Sequence, residues 1–282
     1  MLSYQHEFHA GNHADLLKHT ALVFILESLC KKEKPFTIID THAGAGIFSL
    51  SDERILKTGE AKAGIEKLRN FTAKTSAPVP EIIKTYLEKE EPYLEKGLYA
   101  GSAELEAVYA RKQDIIHFSE LHKEAAEKLQ ENMKKRNAKT IVHVQDSYKT
   151  LSSLLPPLVK RGLILCDPSY EDKSDYNQAA EALSNAHKKW NTAIIALWYP
   201  LLSRKKNETT QMISTLESAC KIGVNSCEYL NVQLIVKDEA EMQKEDGAHL
   251  YGSGMFIMNP PYLLKENLEE AAKFYTKLLV ES

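Results

Sequence analysis

The stretch Phe36-Thr37-Ile38-Ile39-Asp40-Thr41-His42-Ala43-Gly44-Ala45-Gly46 decides the fold. Its apolar first half predicts a short buried strand that ends at Asp40, and Gly44 and Gly46 then predict a tight turn. Ligands of open α/β sheets bind at the carboxyl edge of the strands, so this turn is a candidate cofactor loop. The dinucleotide fingerprint G-x-G-x-x-G is incomplete, because Ser49 stands at its third glycine. A purely structural strand-to-helix turn is therefore an open alternative at this point.

Strands and helices alternate on both sides of this stretch, which predicts a mostly parallel sheet with helices on both faces. Asn12 is a candidate N-cap for a buried first helix. The pattern predicts seven strands, at 36–40, 114–119, 140–145, 162–166, 192–198, 228–236 and 255–258. It predicts helices at 13–32, 103–112, 124–136, 177–190, 206–220 and 265–280.

Residues 51–96 differ from the rest of the chain, because they are charged and interrupted by Pro78 and Pro80. We expect two helices here, at 60–71 and 81–91. The segment is interpreted as an inserted helical subdomain, and 1–50 with 97–282 as the main domain.

Composition limits the possible functions. The chain has 282 residues, of which 43% are hydrophobic, so it is not a disordered tail. Its formal net charge of −3 argues against a protein that coats nucleic acid without selectivity. A nucleic-acid partner would need a local basic patch, for which 204–206 is the best candidate. The four cysteines form no CxxC pair and are expected to be reduced. We find no signal peptide or membrane span and expect a soluble, cytoplasmic protein.

Three later predicted strands end in acids: Glu120, Asp146 and Asp167. Each alone is more often a solvated loop residue or a helix cap, but together with the glycine turn they outline a nucleoside-containing cofactor. Glu120 is a bidentate acceptor suited to the two hydroxyls of a ribose, and Asp146 suits an adenine amine. Asp40 would favour the sulfonium cation of S-adenosylmethionine. We therefore predict S-adenosylmethionine as the cofactor.

The candidate reaction motif is Asp167-Pro168-Ser169-Tyr170. It resembles the (Asp/Asn/Ser)-Pro-Pro-(Tyr/Phe/Trp) motif of amino methyltransferases that act on adenine or cytosine. The N6 lone pair of adenine is delocalised into the ring; the Asp167 carboxylate and the Pro168 carbonyl can accept the two N–H groups and direct that lone pair at a methyl group. Tyr170 offers a face on which an extruded base can stack. The alternative is an ordinary Asp-Pro turn.

A second candidate, Asn259-Pro260-Pro261-Tyr262, matches the motif better by its letters. It follows the last predicted strand, which in a methyltransferase fold runs antiparallel to the others. Its position would then be the opposite edge of the sheet from Gly44, so we expect a structural turn.

The chain resembles the RlmJ family of 23S ribosomal RNA adenine-N6 methyltransferases. The matching segments are Met1-Leu2-Ser3-Tyr4-Gln5-His6, 8–15, Lys18-His19, 40–46, Gly101-Ser102, 120–122, 161–164, 196–200 and Asn259-Pro260-Pro261. The resemblance implies a Rossmann-like class I methyltransferase with a small helical insertion that acts on 23S rRNA before the ribosome is fully assembled, as a monomer. The family pattern is Asp-Pro-Pro-Tyr, so Ser169 is a departure that puts the rate in doubt.

The same resemblance implies roles for individual residues. It places the catalytic acid at Asp167, a substrate contact at Tyr4, and His6 and Lys18 close to the active site. The cofactor contacts that it implies are His19, His42, Ser102, Glu120, Asp146 and Ser147.

The sequence leaves other interpretations open. His9 and His13 have the spacing of a metal pair on a helix, but no third ligand is evident and no metal is expected. A non-catalytic protein that handles nucleic acid in the uptake of external DNA, or a DNA adenine-N6 methyltransferase, is an alternative function. A nicotinamide dehydrogenase is disfavoured by Ser49 and by the long gap from Gly46 to Glu120. The loop 237–252 is expected to overhang the active edge.

Overall fold

Helices and strands alternate along most of the chain, as the sequence pattern predicts. The computed structural model describes residues 9–221, 226–242 and 249–280. The first half contains α1 (His13–Cys30), β1 (Thr37–Asp40), β2 (Ile47–Ser49), α2 (Glu53–Thr58), α3 (Glu60–Ala63), α4 (Ile65–Thr72), α5 (Glu81–Leu94), β3 (Leu98–Ala100), α6 (Ser102–Tyr109), β4 (Ile115–Ser119) and α7 (Lys123–Met133). The second half contains β5 (Lys139–His143), α8 (Ser147–Leu154), β6 (Gly162–Cys166), α9 (Lys173–Lys189), β7 (Ile194–Leu202), α10 (Lys206–Lys221), β8 (Tyr229–Ile235), α11 (Glu239–Met242), β9 (Leu250–Met258) and α12 (Leu264–Val280).

Seven strands form one sheet in the order β5-β4-β1-β6-β7-β9-β8. The five strands from β5 to β7 are parallel, and β9 runs antiparallel to both of its neighbours. In register, Asp40 of β1 lies beside Phe118 of β4 and Leu165 of β6. The residues that follow these three strands therefore meet at one edge, as expected for a Rossmann-like sheet. The predicted fold class is confirmed.

The first helix brings charged residues into the interior. Asn12 caps it, because its side-chain oxygen accepts hydrogen bonds from the backbone N–H groups of Ala14 and Asp15. Beyond the cap, α1 packs against α5, α6, α12 and β9, so nearly all of its sides are buried. Asp15 and Lys18 lie in its first two turns and are 1% and 3% exposed. Buried charges of this kind need partners, which the site supplies.

Residues 51–96 form four helices, α2 to α5, where the sequence predicts two. The predicted helix 60–71 is broken at Gly64, which packs so closely that an added Cβ would lie 2.1 Å from the carbonyl oxygen of Gly11. The short strands β2 and β3 pair antiparallel on either side of the segment. Because α5 packs against α1 and α12, the segment shares the main hydrophobic core. The division into two domains stays a prediction.

Three local predictions need correction. The sequence analysis missed α8, which begins after Asp146 because that side chain caps it. The fifth predicted strand, 192–198, is too short at its end, since β7 continues to Leu202 and pairs there with β9. Part of the predicted loop 237–252 is strand, because β9 begins at Leu250, and residues 243–248 lie outside the described part of the chain.

The second candidate motif, Asn259-Pro260-Pro261-Tyr262, is a structural turn at the opposite edge of the sheet. It follows β9, whose antiparallel direction places Asn259 beside the amino end of β7. The Asn259 side-chain amide donates hydrogen bonds to the carbonyl oxygens of Asn191 and Ala193, at 2.9 and 2.7 Å. This prediction is confirmed, because the side chain is engaged in closing a turn.

Candidate active site

A cavity of about 270 Å³ lies at the carboxyl ends of β1, β4 and β6. We refer to it as the first cavity. Its lining includes eight residues predicted from the sequence: Lys18, His42, Gly44, Ser102, Glu120, Asp146, Ser147 and Asp167. Phe48, Leu121 and Tyr148 add apolar and aromatic surface that the sequence analysis did not predict. The first cavity therefore collects the glycine turn and all three strand-end acids.

The Glu120 carboxylate is held by the backbone of two loops. Its Oε2 accepts a hydrogen bond from the N–H of Gly44 at 2.9 Å, and its Oε1 accepts one from the N–H of His122 at 2.7 Å. Gly44 has φ of +60°, a conformation that favours glycine, so the turn can present its N–H to the acid. Each carboxylate oxygen retains a second lone pair. The fixed carboxylate can therefore also accept two neighbouring hydroxyl groups.

Asp40 supports the wall of the first cavity from below. It is fully buried, and its two oxygens accept hydrogen bonds from the His42 N–H at 2.9 Å and the Ser102 hydroxyl at 2.8 Å. Burial raises the pKa of Asp40 to about 7, although both hydrogen bonds oppose the rise. Asp40 is not part of the lining of the first cavity, and its predicted contact with the cofactor stays a prediction. Ser102, which the resemblance implies as a cofactor contact, lines the first cavity and donates its hydroxyl to this acid.

His42, Asp146 and Ser147 lie at the rim where β1 and β5 end. Burial lowers the pKa of His42 to about 4, so its ring is neutral near pH 7. Its Nδ1 lies 2.8 Å from the Thr41 hydroxyl. Asp146 is exposed and accepts a hydrogen bond from the Lys149 N–H at 2.8 Å as the cap of α8. These side chains can bind a polar ligand, and the histidine does so as an uncharged ring with one N–H donor and one acceptor nitrogen.

Two predicted cofactor residues do not line the first cavity. His19 is fully buried, and its Nδ1 lies 2.7 Å from the Tyr99 hydroxyl while the two rings stack. Gly46 has φ of +80°, and its carbonyl accepts a hydrogen bond from the Gly101 N–H at 2.8 Å. An added Cβ at Gly46 would lie 3.0 Å from Leu129. The predicted contacts of both residues with the cofactor stay predictions.

The predicted catalytic acid is paired with a buried lysine. The Lys18 ammonium lies 2.5 Å from Oδ2 of Asp167 and 2.8 Å from Oδ1 of Asp15. Burial by itself lowers the pKa of Lys18, but the two carboxylates outweigh burial and raise it above its usual value. Asp15 also accepts a hydrogen bond from the Gly11 N–H at 2.8 Å. The ammonium therefore stays charged and fixes the position of Asp167.

A second cavity of about 200 Å³ adjoins the first. Lys18, Asp167 and Ser169 line both cavities, so these three residues form the boundary between them. The remaining lining of the second cavity is His9, Asn12, Ala14, Asp15, Trp198, Pro200, Leu202 and Leu250. A narrow space with an apolar wall and a carboxylate at one end suits a planar ring that carries a hydrogen-bond donor.

The structure places Tyr170, the predicted stacking residue, in the core beside the site, and its role towards a base stays a prediction. Its side chain is 3% exposed and packs against Tyr176 and Trp198, with ring centroids 4.6 and 6.1 Å apart. Its hydroxyl donates a hydrogen bond to the carbonyl oxygen of Trp198 at 2.8 Å. With φ of +55° the turn directs this ring into the core. Tyr170 is therefore a packing residue behind the site.

The comparisons with known proteins agree with this geometry. Residues 33–282 match the model of the family described as ribosomal RNA large subunit methyltransferase D, RlmJ. The chain belongs to the RlmJ family. Two relatives named ribosomal RNA large subunit methyltransferase J, from Escherichia coli (strain K12) and Haemophilus influenzae, are 35% and 37% identical to it. Each match covers 99% of this chain and 95% of the relative. The resemblance inferred from the sequence is confirmed.

A solved structure shares the architecture of this RlmJ family member. A crystal structure of a protein from Legionella pneumophila str. Philadelphia 1 is 29% identical and superposes with a TM-score of 0.81. The match covers 96% of this chain and 94% of that one. The seven-stranded sheet and its insertion therefore belong to a fold that has been observed experimentally.

At the N-terminus, the structure describes this RlmJ chain from His9 onwards. Tyr4 and His6, predicted to be near the substrate, lie outside the described residues. His9 contacts Glu60 of α3, with Nδ1 3.0 Å from both carboxylate oxygens, so the insertion reaches the rim of the second cavity. Hydrogen bonding to Glu60 raises the pKa of His9, although burial opposes it.

The basic cluster 204–206 follows β7 on the side of the second cavity. Lys206 forms an ion pair with Glu239 at 3.1 Å, so part of the positive charge of the cluster is compensated.

No helix in the described ranges is long and apolar enough to cross a bilayer.

Proposed function

We propose that this chain transfers the methyl group of S-adenosylmethionine to the exocyclic N6 amine of an adenine in 23S ribosomal RNA. The observation that carries the proposal is the position of the Asp167 carboxylate on the boundary between two cavities. The first cavity would hold the methyl donor and the second the target base. Both relatives are named as methyltransferases of large-subunit ribosomal RNA, which supports the choice of substrate.

The first cavity fits S-adenosylmethionine in its donor groups. Glu120 has both oxygens fixed by backbone N–H groups and retains lone pairs for the two ribose hydroxyls. Asp146 and Ser147 would hold the adenine end, and Ser102 with the loop at His42 would hold the methionine end. The positive charge of the sulfonium is compatible with a site whose nearby acids outnumber its single lysine.

Asp167 would act on the amine as an acceptor. Its Oδ2 is held by Lys18, which leaves Oδ1 and the Pro168 carbonyl for the two N6 hydrogens. Accepting both hydrogens localises the nitrogen lone pair and orients it towards the donor, so catalysis rests on orientation and electrostatics. When bound, S-adenosylmethionine supplies a methyl carbon whose bond to sulfur breaks as its bond to N6 forms. The proton that N6 then loses passes to Asp167 or to water.

The test is methyl transfer by an Asp167→Ala variant. We expect loss of transfer of radiolabelled methyl groups to 23S rRNA that lacks the modification, measured after digestion to nucleosides, while S-adenosylmethionine still raises the melting temperature. Glu127→Gln, at an exposed position on α7, is the matched control and should behave as wild type. Equal activity of Asp167→Ala and wild type would remove Asp167 from the mechanism.

We also propose how the enzyme meets its RNA. It would act in the cytoplasm as a monomer, on RNA not yet fully assembled into the ribosome, because the base must leave its stack to reach Asp167. The insertion 51–96 lies next to the second cavity through His9 and would help to select the site. The cluster 204–206 would contact phosphate.

A further inference from the structure

Two histidines outside both cavities face each other on neighbouring strands. His117 lies in β4 and His143 in β5, and the register of these parallel strands pairs His143 with Ser119, two residues after His117. The two imidazoles are therefore diagonal neighbours on one face of the sheet. Neither histidine lines the first or the second cavity. A role for this pair goes beyond the proposed methyl transfer and does not depend on it.

The ring nitrogens of the pair are as close as two nitrogens that bind the same metal ion. Nδ1 of His117 lies 3.0 Å from Nε2 of His143, and the two rings are nearly parallel, with 21° between their planes. Imidazole nitrogens bind transition metals at about 2.1 Å. Two such bonds at a right angle, an arrangement that suits Ni²⁺ and Cu²⁺, place the nitrogens about 3.0 Å apart. An ion could therefore replace the proton between the rings while the strands keep their positions.

Both rings have the charge state that metal binding requires. Burial lowers the pKa of His117 to about 4, with further lowering by the charges of His143 and Lys139. Burial also lowers the pKa of His143. Both imidazoles are therefore neutral near pH 7, so that binding needs a change of tautomer but no loss of a proton. Lys139 adds a positive charge nearby, but its side chain is exposed and solvent screens it.

Water would complete the coordination of an ion held here. Within residues 9–221, 226–242 and 249–280, no group of three or more histidine, cysteine, aspartate or glutamate side chains is arranged to hold a metal. Both histidines are only partly buried, so solvent reaches the positions that the protein leaves open. The pair is not apparent in the sequence, because 26 positions separate its members and the strand register alone brings them together.

We propose that His117 and His143 form a binding site for a divalent transition-metal ion such as Ni²⁺ on the surface of the sheet. The ion would join β4 to β5, the two strands that precede Glu120 and Asp146 in the chain. It would be bound by one nitrogen from each ring and by water. The site is separate from the chemistry of methyl transfer, since no residue of the pair lines the first cavity.

The first test is calorimetric titration of Ni²⁺ into the full chain without a purification tag. We expect saturable binding of one ion by wild type, and an affinity about 100-fold lower or more in His143→Gln, because the second ligand of a preorganised pair acts at high effective concentration. His117→Gln should behave in the same way. Circular dichroism checks that both variants are folded.

The matched control is His13→Gln, because His9 and His13 have the spacing of the other candidate metal pair. This variant should bind Ni²⁺ as wild type does. Wild-type affinity in folded His143→Gln, or loss of binding in His13→Gln, overturns the proposal. The absence of saturable binding by wild type overturns it as well.

The second test locates the ion. Ni²⁺ is paramagnetic, so it should broaden the imidazole NMR signals of His117 and His143 before those of the other eight among the ten histidines of the chain. The two variants assign these signals. Saturation with S-adenosylhomocysteine should leave the Ni²⁺ affinity within about twofold, which corresponds to less than about 0.5 kcal/mol. If this ligand abolishes Ni²⁺ binding, the ion lies among the acids of the first cavity and the proposal is wrong. Activity of wild type towards rRNA, which tests the proposed function, has no bearing on either result.

Discussion

Replacing Lys18 with methionine removes the cation between two buried carboxylates. The Lys18 side chain is 4% exposed and that of Asp15 is 2% exposed, with 2.8 Å between the charged atoms. Asp167, at 2.5 Å on the other side, is 15% exposed. Lys18→Met keeps most of the apolar stem, so the lost interaction is electrostatic rather than steric.

The expected effect is large because the two acids are left without compensation. Removing one partner of a buried ion pair costs about 3–5 kcal/mol in the free energy of unfolding. For a chain of 282 residues that corresponds to a fall in melting temperature of about 5–8 °C. Activity should fall as well, since a displaced Asp167 is a poorer acceptor.

The assay is thermal and urea unfolding of wild type and variant. Lys84→Met is the matched control, because Lys84 forms an ion pair with Glu81 at 3.1 Å but the two side chains are 52% and 78% exposed. That variant should lose about 0–1 kcal/mol. If Lys18→Met loses no more than Lys84→Met, the reasoning about the buried lysine is wrong.

Three further outcomes are expected. Gly64→Ala should lower the free energy of unfolding by about 1–3 kcal/mol, because the added Cβ would lie 2.1 Å from the Gly11 carbonyl oxygen. A variant as stable as wild type in chemical unfolding would contradict this close packing. Asn259→Ala should cost about 1–3 kcal/mol through two lost hydrogen bonds, yet leave kcat per folded molecule unchanged, and a large fall in kcat would revive the second motif as catalytic. Burial raises the pKa of Asp40 from 3.8 to about 7, so the contribution of Asp40 to stability is fully present below pH about 4 and is lost as the pH rises towards 7. The free energy of unfolding of Asp40→Asn should therefore depend less on pH between about 4 and 7 than that of wild type. If the two proteins show the same dependence on pH, Asp40 does not have a raised pKa.

Periodicity and turn residues were sufficient for the sheet. Seven apolar segments gave seven strands, and the antiparallel direction of β9 followed from the fold class, which placed Asn259 correctly. The insertion was harder, because its helices break where Gly64 meets Gly11, a contact between segments far apart in the sequence. Local pattern carries no information about such a contact.

Residue types at strand ends predicted most of the site. Glu120, Asp146 and Asp167 share the first cavity because parallel strands end at one edge. The burial of Asp40 and His19 was not predictable, since a polar residue at a strand end or in a helix can face either a ligand or the core. The inward position of the Tyr170 ring was not predictable for a related reason: the motif gives its place in the sequence, but not its positive φ. The place of Trp198 in the lining of the second cavity could have been inferred, because it ends the predicted strand 192–198 next to the strand before Asp167.

The contact between Gly64 and Gly11 has a consequence for how this enzyme could be shortened. Ile65 donates its N–H to the Gly11 carbonyl at 2.9 Å, while the Gly11 N–H is bound by Asp15, the acid that shares Lys18 with Asp167. Excising 51–96 would remove Gly64 and Ile65, which contact Gly11. Gly11 is connected through Asp15 and Lys18 to the reacting carboxylate of Asp167. A trimmed protein could retain its sheet and still misplace the acid by the fraction of an ångström that orientation-dependent chemistry does not tolerate.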